Sequence, residues 1–259
     1  SLYATGRTWP SNSNMCATNL YTKVFLSPFT YNGTACGDSW SMGPYLIGKR
    51  YVNGGTGVQN AALTWGGQCQ GGPTRINTTE EFDGSAWSAG GALINKGGAG
   101  GSAGTQNAAL SGGGLYGSYV DKTEEYNGTA WSAQNVMITA RGYMAGSGGT
   151  QNAAYVAGGY NSPAPKTCTE EYNGTSWASG GALSEANYLA SGGGTQNAGI
   201  IAGGTQAGST SYFNTSYNYD GSSWSANPNI TTTRGYQVGG GLADDYILGG
   251  GLTPAYADV

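Results

Sequence analysis

The sequence predicts an all-β fold, a ring of four-stranded antiparallel sheets of the kind called a β-propeller. Three observations lead there. The 259 residues include 49 Gly and 19 Tyr but only 9% charged side chains, the balance of many tight turns between short strands. One motif recurs five times. Each clear copy also carries a two-residue hairpin signal at the same place.

The motif reads Glu81-Phe82-Asp83-Gly84-Ser85-Ala86-Trp87, then Glu125-Tyr126-Asn127-Gly128-Thr129-Ala130-Trp131, then Glu171-Tyr172-Asn173-Gly174-Thr175-Ser176-Trp177. A looser copy is Asn218-Tyr219-Asp220-Gly221-Ser222-Ser223-Trp224, and a fifth, with an insertion, runs from Tyr31-Asn32-Gly33-Thr34 to Trp40. The tryptophans at 40, 87, 131, 177 and 224 are thus spaced by 47, 44, 46 and 47 residues. A second phrase keeps step. Gln59-Asn60, Gln106-Asn107, Gln151-Asn152 and Gln196-Asn197 each precede a short apolar run that ends in Gly-Gly, and Asp244-Asp245 opens the degenerate last copy. A third element, Arg50, Arg141 or Arg234, stands ten residues after a Trp.

Each repeat therefore reads as four strands. In the third copy the first follows the Arg position, at residues 142–145, and the second runs from Ala153 to Ala157, entered through the Gln-Asn pair. The third is Thr169 to Tyr172, closed by Asn173-Gly174, whose residues tolerate the positive φ of a tight hairpin. The fourth begins at the Trp. Four strands in about 45 residues describe one propeller blade. Five motif copies predict five blades, with six as the alternative. The whole chain is then one domain, 1–259. Residues 1–30 read as an irregular segment that helps close the ring or serves as an attachment. Residues 1–6 resemble an extra second strand and 255–259 a third, so the two ends are expected to complete one blade or contribute to a sixth.

Gly-Gly, then a Tyr and a Trp a few residues apart, then Arg before the next strand, resembles the kelch repeat over roughly residues 19–251. The resemblance implies blades set like spokes around a channel. It places the double Gly near the crowded axis, where backbones approach closely, and packs each Trp between blades.

Composition excludes several functions. Ten basic residues scattered singly give no stripe for a phosphate backbone, so no nucleic-acid partner is expected. No apolar run approaches the ~20 residues of a membrane helix, so no membrane insertion is expected. The chain opens at Ser1 without a signal-like apolar core, read as a leader already removed or a mature-form numbering. With no His there is no Ser-His or Cys-His nucleophile and no His metal site. That also excludes the copper chemistry of galactose oxidase, a kelch-type enzyme whose metal needs His ligands. No catalytic residue, metal or cofactor is expected, and the chain reads as a non-enzyme.

The remaining candidates have structural readings beside them. The pairs Glu80-Glu81, Glu124-Glu125 and Glu170-Glu171 look like paired acids, but strand neighbours point to opposite faces, so one Glu of each is expected at the blade interface and one in solvent. Asp244-Asp245 is weak evidence for Ca²⁺ against a polar turn. The Gln-Asn amides satisfy turn backbone or, alternatively, ring the channel mouth for a ligand. Six Asn-X-Ser/Thr sequons, among them Asn127 and Asn173, are explained mostly by turn chemistry. Cys16 and Cys36 flank one irregular segment and could form a disulfide; the other reading leaves all four cysteines as free thiols. In a meander, the loops joining second to third strands share an end with the inter-blade connections. These loops, 68–77, 115–122, 160–167 and 205–214, carry Tyr116, Tyr119, Tyr160, Tyr212 and Phe213 among small polar residues, a composition suited to sugar or protein recognition.

The phrases GTQNAA and TEEYNGTAW resemble repeats in structural proteins of aquatic bacteriophages, tail and fibre proteins above all. That resemblance covers the middle three copies best. It implies a virion or extracellular location, partners that are other copies of the chain or other virion or filament proteins, and a cell-surface glycan as a candidate ligand. The alternative expectation is a secreted bacterial surface protein, lectin or extracellular filament subunit.

Overall fold

The structure, a computed structural model, describes residues 43–69, 74–206 and 211–253. Trp40, Cys16, Cys36 and both chain ends lie outside the described residues. The described chain is all-β, in four four-stranded antiparallel sheets and three two-stranded ones, of which Arg50–Tyr51 with Gln68–Cys69 and Tyr160–Asn161 with Ala164–Pro165 are short pairings at the linkers and loops. Blade 1 contains Gly54–Val58, Ala61–Trp65, Thr79–Phe82 and Trp87–Gly90. Blade 2 contains Gly101–Thr105, Ala108–Tyr116, Ser118–Tyr126 and Trp131–Gln134. Blade 3 contains Gly146–Thr150, Ala153–Ala157, Thr169–Tyr172 and Trp177–Ser179. Blade 4 contains Ser191–Thr195, Ala198–Ala202, Ser216–Tyr219 and Trp224–Asn227, and the fifth hairpin pairs Val238–Leu242 with Asp245–Gly249. Each blade is an up-and-down meander in chain order.

The first strand falls four residues later than the sequence suggests: Gly146–Thr150, not 142–145. Residues 142–145 instead form the linker into the blade. First strands are glycine-rich because they line the centre and touch one another. A Cβ on Gly192 would lie 2.4 Å from the Gly146 Cα, which no side chain tolerates. The double glycine marks a further close approach of backbones, at the joint with the next linker. A Cβ on Gly66 would lie 2.1 Å from the Gly97 carbonyl oxygen, and the following amide, Gly67 N–H, donates to that oxygen at 2.7 Å.

The linkers meet in a chain of hydrogen bonds around the centre. Val52, Ala99, Tyr143, Leu189 and Tyr236, none of them glycine, have φ between 50° and 62°. Ala99 N–H donates to Val52, Tyr143 to Ala99, Leu189 to Tyr143 and Tyr236 to Leu189, at 2.7 to 3.1 Å. Left-handed backbone is costly for such residues and persists only where the surroundings fix it. Here each strained residue is held by its counterparts in adjacent blades.

Blade-to-blade packing repeats one set of contacts. Trp131 Nε1 donates to Thr79 of blade 1, Trp177 to Thr123 of blade 2 and Trp224 to Thr169 of blade 3, each at 2.9 Å. The Trp131 ring also packs on Trp65, with centroids 5.1 Å apart. Gln151 Nε2 donates to Ala109 and Tyr126 carbonyls of the preceding blade, and Gln106 and Gln196 do the same one blade earlier and later. Gln-Asn is therefore the tip of the first hairpin, and its Gln tethers that tip to the neighbouring blade. Among the described residues, Trp87 Nε1 and Asn218 Oδ1 are buried without a partner.

Candidate functional site

The Glu pairs occupy the blade joints. Both members are used there, which corrects the expectation that one faces solvent: in a ring of blades each sheet face is covered by a neighbour. Glu81 accepts a hydrogen bond from Tyr126 of blade 2, Glu125 from Tyr172 at 2.9 Å and Glu171 from Tyr219 at 2.5 Å. Burial first, then the hydrogen bond to the carboxylate, pushes the Tyr126 and Tyr219 phenols up to about 12. The first Glu of each pair anchors the linker entering its own blade. Glu80 accepts from Ile47 and Gly48 amides, Glu124 from Ile94 and Asn95, and Glu170 from Ile138 and Thr139. Arg50 completes the first of these anchors as an ion pair with Glu80, and Arg141 completes the third with Glu170; all four side chains are buried. Arg234 Nη1 donates to the Gly250 carbonyl at 2.9 Å. Among the described residues no group of three or more His, Cys, Asp or Glu is placed to hold a metal ion, and no helix is long and apolar enough to cross a membrane. Cys69 and Cys168 are half-buried free thiols.

The meander puts the second-to-third connections and the inter-blade linkers at one end, the loop face. The Asn-Gly and Gln-Asn tips occupy the other end. Asn127 and Asn173 there use their side-chain oxygens to accept from the amides two and three residues ahead. On the loop face, aromatic side chains from three blades converge. Tyr119 lies 5.6 Å from Tyr160 and 6.4 Å from Tyr143 between ring centroids, and Tyr160 lies 5.2 Å from Tyr188. Tyr212 continues the series: burial, then Tyr160 and Tyr212, pushes the Tyr188 phenol up. Burial, then Tyr143, Tyr160 and Tyr188, does the same to Tyr119, with Arg75 close enough to act in the opposite sense. The result is a half-buried tyrosine string across blades 2, 3 and 4.

Of the residues singled out in the sequence, Tyr119, Tyr160 and Tyr212 belong to this string. Tyr116 stands apart, exposed at the mouth of a pocket between blades 1 and 2. Phe213 is held through its backbone, its N–H on the Gly204 carbonyl and its own carbonyl accepting from Arg234 N–H. Residues 115–122, expected as a loop, form the ends of two long strands that turn at Gly117. Tyr143 escaped as a binding residue because residues 142–145 were read as the first strand, and Tyr188 because it lies in a linker; their place one or two residues after the Arg position of the repeat, Arg141 and Asn187, was the available signal.

These sheets and their order match a known architecture. The structure of YjhT superposes with a TM-score of 0.71 over 86% of this chain and 83% of that one, at 11% sequence identity. The fold is propeller-like. At that identity the likeness reaches the architecture alone. No protein-family model matches the sequence, and no curated protein matches it.

Proposed function

We propose that this chain is a non-enzymatic component of a virion, a phage tail or fibre protein, that uses a kelch-like propeller to present the tyrosine string for assembly or host-surface contact. The observation that carries the reading is the division of labour between side chains. Buried ion pairs hold the linkers to their own blades and Tyr–Glu contacts join blade to blade, while the loop face gathers tyrosines from three blades. Rigid phenol rings offer area and a hydroxyl at little entropic cost, which suits protein surfaces and sugars. The five-blade count rests on the five motif copies and on five counterpart linker residues, one per blade or hairpin, with positive φ.

Antibody-labelled electron microscopy of the source particle tests the proposal. Label on a tail or fibre supports it. Label on a nucleic-acid-free filament, or only on free protein, overturns it in favour of the second reading, a secreted surface protein, lectin or filament subunit using the same tyrosine face. A density map with a sixth radial sheet would refute the blade count.

A further inference from the structure

Blade 2 departs from its neighbours at one position. Where blades 1 and 3 carry Arg50 and Arg141, it carries Gly97. Its anchoring carboxylate is nonetheless retained: Glu124 is only 4% exposed. Asn95 Nδ2 donates to Glu124 Oε1 at 2.8 Å, on the oxygen that takes the guanidinium in blades 1 and 3. Among the described residues the ion pairs are those of blades 1 and 3, so Glu124 has none.

A small open pocket lies at this place, with Gly97, Gly113, Lys122, Glu124 and Trp65 in its wall. Gly113 and Lys122 are the counterparts of Gly66 and Thr78, whose carbonyls accept from Arg50 Nη1 in blade 1. The pocket is thus the arginine slot, with the carboxylate and the backbone wall kept and the side chain missing. Backbone geometry does not require the glycine. Gly97 has no positive φ, and a Cβ there would meet its nearest neighbour, the Leu115 carbonyl oxygen, at an ordinary 3.5 Å.

We propose that this slot binds a guanidinium group supplied from outside the chain, such as the arginine side chain of a partner protein. A buried carboxylate beside carbonyl oxygens is a set of acceptors with no proton to give, which matches a planar cation with five donors. Trp65 and Tyr116 supply an aromatic lining for the side-chain stem. A ligand has two internal competitors: the Asn95 amide, which already donates to Glu124 Oε1, and Lys122, exposed two residues from Glu124 on the same strand face.

The test is an amide NMR titration of the whole chain with guanidinium chloride, and separately with N-acetyl-arginine methylamide, at concentrations well below those that unfold proteins. Sodium chloride and tetramethylammonium chloride at equal ionic strength are the controls. The expected result is saturable shifts confined to the amides around Asn95, Gly97 and Gly113. They should weaken about ten-fold or more in Glu124→Gln, the loss of a charge-assisted contact, and vanish in Gly97→Arg, whose own guanidinium fills the slot. Tighter binding of the arginine amide than of the bare ion identifies an arginine side chain as the source; the reverse identifies a small guanidino compound. Shifts no different from the salt controls overturn the proposal, as does unchanged binding in Gly97→Arg. Binding seen only in Lys122→Ala also overturns it, because lysine is then the resident cation.

Discussion

Replacing Arg141 by Ala removes a fully buried guanidinium and leaves Glu170, 2% exposed, charged and holding two linker amides. Breaking a buried pair from one side costs about 3–5 kcal/mol, because the stranded charge keeps its desolvation without its partner. Blade 2 shows how the fold can offset part of that loss. There Asn95 stands where blade 3 has Thr139, and its amide donates to the carboxylate at 2.8 Å. Transplanting that solution, Thr139→Asn in the Arg141→Ala background, should return about 1.5–3 kcal/mol, the range for a hydrogen bond to a charged group. Urea denaturation of the wild type, the single variant and the double variant, followed by tryptophan fluorescence, measures both steps. A cost below about 1 kcal/mol for Arg141→Ala would show that the pair does not hold the linker. No recovery in the double variant would show that the Asn95 contact is not an equivalent of the ion pair.

Gln151→Ala removes two hydrogen bonds to blade 2 and should cost about 1–3 kcal/mol in chemical denaturation, with no change in the neighbouring Asn173 turn. Gly192→Ala places a methyl 2.4 Å from the Gly146 Cα and should lower stability by about 3 kcal/mol or more, or abolish folding; a neutral result would mean the inner strands are further apart than described. The Tyr126 and Tyr219 phenols, raised to about 12 from an ordinary 10, bind protons more tightly folded than unfolded. Their contribution is complete below pH 10 and is lost as pH climbs through about 12, so tyrosinate absorbance should appear together with unfolding. Tyr160→Ala, at the middle of the tyrosine string, should leave the melting temperature within a few degrees of wild type and weaken binding to the particle partner or glycan about ten-fold or more; unchanged binding would remove the loop face from the function.

Second, third and fourth strands were legible because apolar runs, the Thr-Glu-Glu-Tyr phrase and the Trp each fix one. The first strand was not, since Gly146-Ser147-Gly148-Gly149 has no strand preference of its own. It is extended because a crowded centre admits little beyond glycine, a tertiary requirement that no local pattern expresses. The Glu pairs were read with the alternation of a half-exposed sheet, which fails where both faces are covered. Tyr119, Tyr160 and Tyr212 could be found from the meander alone, because it fixes which loops share an end. Tyr143 could not, because residues 142–145 were read as the first strand, and Tyr188 could not, because its linker was assigned no side-chain role. The missing Arg of blade 2 was visible as a gap in register, but that it lies over a retained buried carboxylate required the structure.

The joints between blades have a direction. In the repeated contact set the Trp indole, the Gln amide and the Tyr that follows the Glu pair each donate to the blade before, while Tyr155, outside that set, donates forward to the Gly193 and Ile200 carbonyls of blade 4. Every blade thus has a head and a tail. Among the described residues Trp87 Nε1 stands as an unused head at the start of the arc, and Asn218 Oδ1, at the place of the second Glu, as an unused tail in blade 4. Head-to-tail contacts close into rings only when the rotation per unit allows, and otherwise continue from molecule to molecule. A chain shortened by one blade would therefore keep matched ends and join other copies into open filaments rather than symmetric dimers.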